Sequence, residues 1–567
     1  MKKILALAAI LAFAACRRET AVPADAIYFN GDILTMAGDA PAYIQAVAVK
    51  DGKILFAGPK PEAEKFHGEK TVMNDLKGKT ILPGFIDAHG HVWNAGFQAV
   101  SANLLPAPDG QGNDVAAVIS LLNEWKAKNE KAIGKYGWIV GFGYDDAQLK
   151  EKLPPTADDL DKVSITVPVI IIHQSGHLAV MNHKALQMAG YNKDSKDPAG
   201  GVIRRKEGSS EPNGVLEEMA MFTPLFKMMG SLDHQANEKI AQAGLESYMR
   251  FGFTTAQEGR ATSDACDTWQ KLAKENKLAI DVAAYPDIQT QMSYMKENGV
   301  QKKYTDHFRI AGVKLSLDGS PQGKTAWLTK PYIVPPPGQP KTYTGYPAFP
   351  KQSDAAALVD SAYANNWQIL AHCNGDAAID EYISAVRHAA ELYGKKDRRS
   401  VAIHAQTARP DQLDAMKSLG IMPSFFGMHT YYWGDWHRDE TLGKERAYRI
   451  SPAATALKKG MIFTQHHDAP VALPNSIMIL YAAVNRTSRS GQVIGADERI
   501  SAYDALRSIT IWAAYQYFEQ DTKGSIEKNK LADFVILDQN PVKAAPETIK
   551  DIIVLETIKE GKSVYKK

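Results

Sequence analysis

The sequence has little of several features that would define its class. It contains 3 cysteines in 567 residues, too few for a disulfide framework to hold it together. Its formal net charge is +2 without long runs of one sign, which gives no electrostatic reason to expect a nucleic-acid partner. Its composition, 45% apolar and 23% charged, is typical of a globular protein, and its length predicts two or more domains.

Three motifs of other enzyme classes are also missing. The sequence has no Gly-x-Ser-x-Gly nucleophile elbow. Neither Gly78-Lys79-Thr80 nor Gly323-Lys324-Thr325 follows the earlier glycine of a phosphate-binding loop. Gly141-Phe142-Gly143 lacks the third glycine of a dinucleotide-binding turn. These absences argue against a serine hydrolase of that type, a nucleotide triphosphatase and a dinucleotide-dependent enzyme.

The N-terminus has the pattern of an export signal. Two lysines precede an apolar run that is too short to cross a membrane, so residues 1–15 are predicted to be a signal peptide. Small residues before Cys16 resemble a bacterial lipoprotein signal, which implies cleavage before Cys16, its lipidation and a tether over 16–24. The resemblance implies a place in the bacterial cell envelope, and Arg17 favours the outer membrane. The alternative is a plain secretory signal that leaves the protein in the periplasm.

Both ends of the remaining chain are rich in short strands. The stretch Ala46–Phe56 has two β-rich runs around Asp-Gly, a strong hairpin pattern, and Ala532–Asp538 and Ile552–Tyr565 show similar runs. Neither end is large enough to form a good core alone. We therefore expect residues 25–82 and 520–567 to pair into one composite β-sandwich.

The middle of the chain alternates strand-like and helix-like segments. This alternation predicts an α/β protein with parallel strands, and eight such strands predict a (β/α)8 TIM-like barrel over residues 83–519. The eight predicted strands are Gly84–His91, Gly252–Glu258, Leu278–Tyr285, Ile310–Asp318, Trp367–Asn374, Ser400–Gln406, Ile421–Phe426 and Met461–Asp468.

A long interval separates the first two of these strands. It covers about residues 93–250 and contains two strand-like segments of its own, Trp138–Tyr144 and Val167–His173. Loops that follow barrel strands lie over the catalytic face of such a fold. We therefore expect this insertion to cover the active site and shape the substrate pocket.

Polar side chains stand at or near the ends of the first, fourth, fifth, sixth and eighth predicted strands. Residues two apart on a strand point the same way, and neutral imidazoles are common ligands of zinc. Each residue alone has an ordinary structural explanation, such as a hydrogen-bonded core histidine. Because barrel active sites lie at the C-terminal strand ends, we expect the whole set to converge. The set is His89, His91, Lys314, His372, His404 and Asp468.

At these residues the chain resembles the amidohydrolase superfamily of metal-dependent hydrolases, specifically the branch of YtcJ-type proteins. The resemblance covers nearly all of the chain after the signal. The strings that carry it are PGFIDAHGH (83–91), SGHLAVMNHKAL (175–186), GVLEEMA (214–220), VKLSLDGS (313–320), HCNGDAAID (372–380), IHAQ (403–406), HHDAP (466–470) and KNKLADFVILD (528–538).

The resemblance implies a site with two divalent metal ions, expected to be zinc. His89, His91 and Asp468 would bind one ion, and His372 and His404 the second. Lys314 would be carboxylated and bridge the two ions. Burial readily lowers the pKa of a lysine, and this supplies the neutral amine that carboxylation requires.

Three further residues are candidates for contact with a small-molecule substrate. Glu218 matches a family glutamate, with Glu217 as the alternative one position away, and His177 follows Ser175-Gly176. Trp433 belongs to an aromatic stretch after the seventh predicted strand. The sequence also departs from the family pattern, since His467 precedes Asp468 where a serine is common.

The implied reaction is hydrolysis of a non-peptide carbon–nitrogen bond in an amide, N-acyl compound or cyclic amide. A hydroxide activated by the metals would attack the carbonyl carbon, and Asp468 would pass a proton to the leaving nitrogen. Three alternatives stay open: a lactone or ester hydrolase with the same site, an inactive, lipid-anchored binding protein, and an isomerase on the same scaffold. The sequence also leaves open a homo-oligomer and a bond between Cys266 and Cys373.

Overall fold

The computed structural model describes residues 22–198 and 200–567. Its strands are β1 (Ala26–Leu34), β2 (Tyr43–Lys50), β3 (Lys53–Gly58), β4 (Val72–Asp75), β5 (Thr80–Pro83), β6 (Phe85–Ile86), β7 (Ala102–Asn103), β8 (Ile139–Tyr144), β9 (Val169–His173), β10 (Leu178–Met181), β11 (Gly201–Arg205), β12 (Pro212–Glu218), β13 (Phe253–Ala261), β14 (Asp281–Pro286), β15 (Phe308–Ile310), β16 (Val313–Ser316), β17 (Ile369–Cys373), β18 (Val401–His404), β19 (Met422–Phe425), β20 (Thr464–Gln465), β21 (Phe534–Leu537), β22 (Val554–Lys559) and β23 (Lys562–Lys566).

Helices alternate with most of the central strands. They are α1 (Lys60–Ala63), α2 (Val92–Val100), α3 (Val115–Lys128), α4 (Glu130–Tyr136), α5 (Ala157–Asp161), α6 (His183–Ala189), α7 (Met219–Met229), α8 (His234–Arg250), α9 (Ser263–Lys274), α10 (Met292–Asn298), α11 (Gln352–Ala364), α12 (Asp376–Tyr393), α13 (Pro410–Leu419), α14 (His429–Tyr432), α15 (Gly434–Trp436), α16 (Lys444–Ala447), α17 (Ala453–Lys458), α18 (Ser476–Asn485), α19 (Ala502–Ser508) and α20 (Ile511–Gln516).

The two ends of the described chain share one eight-stranded sheet. Its order is β23-β22-β21-β5-β1-β2-β3, with β4 also paired to β1, and β5 joins β21 in antiparallel register from Thr80↔Leu537 to Pro83↔Phe534. The hairpin between β2 and β3 turns at Asp51 and Gly52, both with positive φ, as a tight Asp-Gly turn requires. Strands from both ends therefore pair in a single sheet, and the composite β-sandwich is not confirmed.

The central strands form two parallel sheets with helices between successive strands, so the α/β class is confirmed. One sheet has the order β15-β14-β13-β6, and the other runs in chain order from β16 to β20. The predicted single strand Ile310–Asp318 is wrong, because the chain changes partner within it. Ala311 N donates to Ala284 O, whereas Val313 N donates to Gln368 O. Gly312 stands at the switch, where a Cβ would lie 2.4 Å from the Gln368 oxygen.

Backbone hydrogen bonds outside the strand ladders join the two parallel sheets at both margins. Ile288 N donates to Lys314 O at 2.8 Å on one side, and His91 N donates to Ala469 O at 2.8 Å on the other. The strand ladders of the described residues do not run across these margins. The closed eight-stranded barrel is therefore not confirmed by the strand pairing.

The segment between β6 and β13 builds a six-stranded sheet with the order β11-β12-β10-β9-β8-β7. Strands are present at both positions where the sequence predicted them in this interval, as β8 and β9. All side chains of β8 and β9 are buried. The segment therefore has a core of its own, to which Leu122, Ile139 and Ile171 belong.

Helix α2 starts directly after the first histidine pair and is held against α8 by two glycines. A Cβ on Gly96 would lie 1.9 Å from the Ile240 oxygen, and one on Gly244 would lie 2.2 Å from the Val92 oxygen. The helices can approach this closely only because both positions lack a side chain. This contact fixes the start of α2, and with it the loop that carries His89 and His91.

Three remaining predictions concern the cysteines and the membrane. Cys266 and Cys373 are both buried and are not bonded to each other. Cys16, the signal peptide and most of the tether lie outside the described residues. Among the helices described here, none combines the length and the apolar character needed to span a bilayer.

Candidate metal centre

His89, His91 and Asp468 bring one ligand atom each to a common point. Nε2 of His89 lies 3.2 Å, and Nε2 of His91 lies 3.4 Å, from Oδ1 of Asp468. The expected strand alternation is not the cause, because β6 ends at Ile86 and His91 is already the N-cap of α2. A turn brings the histidines together instead, in which His89 N donates to Oδ1 of Asp87.

The proton of His89 is placed by Gln257. Nδ1 of His89 lies 2.7 Å from Oε1 of Gln257. The orientation of this amide is fixed, since its Nε2 donates to the Ala88 carbonyl and lies 2.6 Å from the Tyr517 hydroxyl. Oε1 therefore accepts, and the proton of His89 is on Nδ1. The lone pair of Nε2 is left facing Asp468.

His91 is oriented in the same way by a backbone carbonyl. Its Nδ1 lies 2.6 Å from the Gly259 oxygen, which can only accept, so Nε2 again carries a lone pair. Oδ1 of Asp468 finds no hydrogen-bond donor within the described parts of the chain. Two imidazole lone pairs and a carboxylate oxygen thus face one another. A divalent cation between them would turn this mutual repulsion into three coordinate bonds, so these residues fit a metal ion.

A second histidine pair comes from the ends of β17 and β18. Nδ1 of His372 lies 3.1 Å from Nε2 of His404, which is 3.8 Å from Oδ2 of Asp468. Nε2 of His372 lies 3.1 Å from both the Gly319 carbonyl and Nδ2 of Asn374, so its Nδ1 is the ring nitrogen that faces His404. The structure therefore places the second predicted histidine pair beside the first, with His404 facing the other oxygen of Asp468.

Lys314 reaches the same place from β16. Its side chain is buried, and its Nζ lies 3.1 Å from Nε2 of His89. Burial is the main cause that lowers the pKa of Lys314 to about 7. A substantial fraction of this amine is therefore neutral near pH 7. All six predicted ligands are thus brought together by the described structure.

The protonation states also suit a cation. Burial, followed by the charge of Lys314, lowers the pKa of His89 to about 4. Burial likewise holds the pKa values of His372 and His404 well below their usual range. Although burial acts to raise it, the pKa of Asp468 stays well below its usual value, so this carboxyl is ionised. Neutral imidazoles and an ionised carboxylate are the forms that bind metal.

Two residues of this environment were missed by sequence reasoning. One is Gln257, whose role depends on a contact 168 residues away and leaves no local pattern. The other is His466, which is fully buried with its ring centre 5.0 Å from that of His404. The signal for His466 was available, since it stands two residues before Asp468, as His89 stands two before His91.

His467, the departure from the family pattern, faces a different environment. Its Nδ1 accepts from Ala469 N at 2.9 Å, and its Nε2 is 3.3 Å from Oδ1 of Asp87. Its ring lies edge-on between Tyr248 and Phe253. His467 therefore supports the loop around Asp468 from its far side.

The two predicted substrate contacts of the insertion meet each other. Nδ1 of His177 lies 3.0 Å from Oε1 of Glu218, and about one fifth of each side chain is exposed. Glu217 instead pairs with Arg204 at 2.6 Å, which favours Glu218 over its alternative. Glu218 also has φ 47°, a conformation that costs a non-glycine residue energy and often marks a functional site.

The side chain of Trp433 is buried and is not exposed on a pocket wall as predicted. It is 1% exposed, packs on His429 and donates from Nε1 to Oδ2 of Asp145 at 2.8 Å. Asp145 also lies 3.4 Å from His173, which pairs with Asp146 at 3.1 Å. Burial opposes the charge on His173, but the hydrogen bonds that it donates to both aspartates raise its pKa to about 9. This ion triad ties the insertion to the loop after β19.

Comparison with known proteins gives a consistent result. The model of the amidohydrolase family matches residues 73–565. Protein LONG AFTER FAR-RED 3 of Arabidopsis thaliana is 29% identical, with 96% of this chain and 92% of that protein covered. The putative amidohydrolase YtcJ of Bacillus subtilis is 24% identical, with 96% and 99% covered. The N-substituted formamide deformylase of Arthrobacter pascens is 24% identical, with 92% and 95% covered.

Among solved structures, an uncharacterized metal-dependent hydrolase from Pyrococcus horikoshii has the same fold. The superposition gives a TM-score of 0.72 at 24% sequence identity and covers 92% of this chain and 99% of that one. The likeness therefore extends over most of the chain.

Proposed function

Because the chain belongs to the amidohydrolase family, and is thus a hydrolase, we propose that it cleaves a carbon–nitrogen bond other than a peptide bond. The substrate class is an amide, an N-acyl compound or a cyclic amide. One observation carries the proposal: Nε2 of His89 and Nε2 of His91 present lone pairs to an ionised Asp468. The N-substituted formamide deformylase among the relatives acts on a bond of this kind, which supports it.

The residues divide naturally between two cations. His89, His91 and Asp468 would hold one, His372 and His404 the other, and a carboxylated Lys314 would bridge them. Imidazole-rich sites suit zinc, and a carbamate oxygen is a hard ligand that can contact both ions. When bound, such cations would lower the pKa of a water and polarise the substrate carbonyl.

The chain's own groups would move the proton and hold the substrate. Asp468 accepts a proton from the attacking water and passes it to the leaving nitrogen. Gln257 keeps His89 in the tautomer that presents Nε2. His177 and Glu218, which form a partly exposed pair on the insertion, supply hydrogen bonds to the substrate amide. No covalent intermediate with the protein is required.

The two parallel sheets are best explained as the two arcs of a (β/α)8 barrel. His89 follows β6 of one sheet, whereas Lys314, His372 and His404 come from strands of the other. Ligands from both sheets can meet at one point when the sheets curve around a common axis. On this proposal, residues 83–519 are the hydrolase barrel, the insertion covers its catalytic face, and the chain ends form a separate small domain.

The cellular location is proposed from the sequence pattern alone. Lipidation at Cys16 would anchor the enzyme in the bacterial cell envelope, with the catalytic part in the periplasm. A Cys16→Ser variant is expected to leave the membrane fraction and appear in the soluble periplasmic fraction. Equal membrane retention of the wild type and the variant would show that Cys16 does not anchor the enzyme.

A substrate panel tests the proposed bond. Metal-replete protein is offered N-substituted formamides, N-acyl amino acids, cyclic amides and lactones, with Asp468→Asn as the inactive control. We expect turnover of at least one carbon–nitrogen substrate, lost in the variant. Turnover of lactones alone would replace the proposed bond with an ester bond, and a metal-loaded protein without any turnover would favour the binding protein.

A further inference from the structure

Arg260 is the exposed residue of an otherwise buried strand. All other residues of β13 are buried, whereas the side chain of Arg260 is 48% exposed. The strand bulges here, because Gly259 and Ala261 pair with consecutive residues of β14 and Arg260 between them is left out of the described ladder. Arg260 also has a φ of 55°, which costs a non-glycine residue energy. Bulges of this kind often re-aim a side chain next to an active site.

The bulge is held between two of the predicted metal ligands. The carbonyl of Gly259, the residue before Arg260, lies 2.6 Å from Nδ1 of His91. Nε of Arg260 donates to Oδ2 of Asp287 at 3.0 Å. The backbone of Asp287 in turn forms an isolated parallel bridge with that of Lys314. Contacts on both sides of the arginine therefore fix it beside the metal centre.

The charge of Arg260 also acts on a predicted substrate contact. Burial lowers the pKa of His177, but Glu218 raises it above its usual value. Two smaller effects on the same imidazole come from Arg260, which lowers its pKa, and from Asp468, which raises it. His177 is thus within electrostatic range of the arginine and of the metal centre. The guanidinium therefore lies near the predicted substrate contacts of the insertion as well as near the ligands.

An ion pair with Asp287 does not by itself explain this arrangement. Oδ1 of Asp287 already accepts hydrogen bonds from the backbone and the hydroxyl of Thr290, so this carboxylate has partners without the arginine. A half-exposed ion pair contributes little to stability, and the positive φ of Arg260 opposes even that. Among the described residues, the guanidinium donates only through Nε. Its terminal nitrogens, Nη1 and Nη2, are therefore open to a ligand from solution.

We propose that Arg260 binds a carboxylate of the substrate, so that the enzyme prefers acidic amides such as N-acyl amino acids over neutral amides. The inference deepens the proposed function and rests on it, because it names the substrate class of the same site. Nη1 and Nη2 present parallel N–H groups that match the two oxygens of a carboxylate. Asp287 holds the guanidinium by Nε, and this pre-organisation reduces the freedom that is lost when the carboxylate binds.

The test compares acids with their neutral carboxamides. Metal-replete wild type, Arg260→Met and Arg260→Lys are given N-formyl and N-acetyl amino acids and the carboxamides of the same compounds. We expect the wild-type kcat/KM to be at least tenfold higher for the acids. In Arg260→Met this value should fall by about 10–100-fold for the acids, mostly through KM, and stay within threefold for the carboxamides. Arg260→Lys should keep part of the preference, because it keeps the charge but not the paired N–H groups.

Calorimetric binding makes the result independent of turnover. Acids that are not hydrolysed should bind the wild type at least tenfold more tightly than their carboxamides, and Arg260→Met should lose this preference. Arg204→Met is the matched control. Nε of Arg204 also donates to one carboxylate, that of Glu217 at 2.6 Å, and its side chain is 36% exposed, but it lies on β11 at the edge of the insertion sheet. This variant should keep the preference for acids.

The outcomes separate the two proposals. A wild type without a preference for acids, or a preference that Arg260→Met retains, would overturn the inference and leave the proposed function standing. Turnover of lactones alone, with acids still bound more tightly through Arg260, would overturn the proposed bond and keep the carboxylate contact. If Arg260→Met does not fold, Arg260→Lys decides, and an unchanged ratio of acid to carboxamide affinity in that variant would contradict the inference.

Discussion

Two buried polar clusters of this protein differ in whether neighbouring side chains balance their charges. In one, Lys559 lies 2.7 Å from Asp281 and 2.9 Å from Asp533, and Lys523 lies 2.5 Å from Asp281. Every ammonium has carboxylates beside it, and the cluster links the end of β22 to β14. The metal centre also contains a buried lysine and a buried aspartate. There, however, histidine nitrogens direct their lone pairs toward the carboxylate of Asp468.

The difference separates structure from function. A balanced cluster is complete without anything added, so its effect is on stability, and removing one member leaves an uncompensated buried charge. An unbalanced cluster is complete only with a cation, so its effect is on binding and chemistry. The two clusters should therefore respond in opposite ways to substitution: one should lose stability, the other metal and activity.

Asp468→Asn should give the largest effect. The amide can neither carry the proton nor supply a charged ligand, so turnover should fall by about 10²–10⁴-fold or more. The melting temperature of the apoprotein should change little. Steady-state kinetics and thermal unfolding of the same preparation check both parts. Activity within threefold of the wild type would show that Asp468 is not the proton carrier.

Lys559→Met should lower the stability of the protein and leave its activity unchanged. It leaves Asp533 without its partner in a buried site and should cost about 3–5 kcal/mol of unfolding free energy. Activity per folded molecule should stay near the wild-type value. Denaturant unfolding measures the loss. The matched control is Lys543→Met, because Lys543 pairs with Asp32 but its side chain is 57% exposed, so its loss should cost less than about 1 kcal/mol.

Gln257→Leu tests whether the amide of Gln257 fixes the tautomer of His89. Without the Oε1 acceptor, His89 is free to place its proton on Nε2, and zinc affinity should fall by about 10–100-fold. The site keeps all its ligands, so activity at saturating zinc should recover. Zinc titration followed by kinetics at high zinc distinguishes this from the loss of a ligand. An unchanged zinc affinity would mean that the amide does not set the tautomer.

The triad around His173 should give the smallest effect, and it depends on pH. The pKa of His173 is raised to about 9 in the folded protein, above the ordinary value of 6.5. Its stabilisation is therefore fully present below pH 6.5 and is lost as pH rises through 9. The difference in melting temperature between the wild type and His173→Asn should shrink from pH 6.5 to pH 9.5. A constant difference would indicate that His173 is uncharged when folded.

The sequence predicted the strands that carry His372 and His404 well. Their apolar runs end at the histidines, and β17 and β18 lie inside the predicted bounds. Such strands are buried on both faces, so hydrophobicity alone reveals them. The six side chains predicted to bind metal also come together in the structure, five of them near or just beyond a strand end and Lys314 within β16.

What the sequence did not reveal depends on contacts between distant residues. The chain changes its neighbouring strand at Gly312, beside the Gln368 carbonyl. A local sequence pattern cannot show this contact between distant residues. His89 and His91 lie beyond β6, on a turn fixed by Asp87, rather than on a strand. The pairing of His177 with Glu218 joins residues 41 positions apart, and only the folded insertion brings them together.

The most direct test of the metal centre is a crystal structure of metal-replete protein with anomalous scattering recorded at the zinc edge. The account predicts two anomalous peaks about 3.5–4 Å apart. One should lie within bonding distance of His89, His91 and Asp468, and the other within bonding distance of His372 and His404. A metal-replete crystal without a peak in contact with Asp468 would contradict the account.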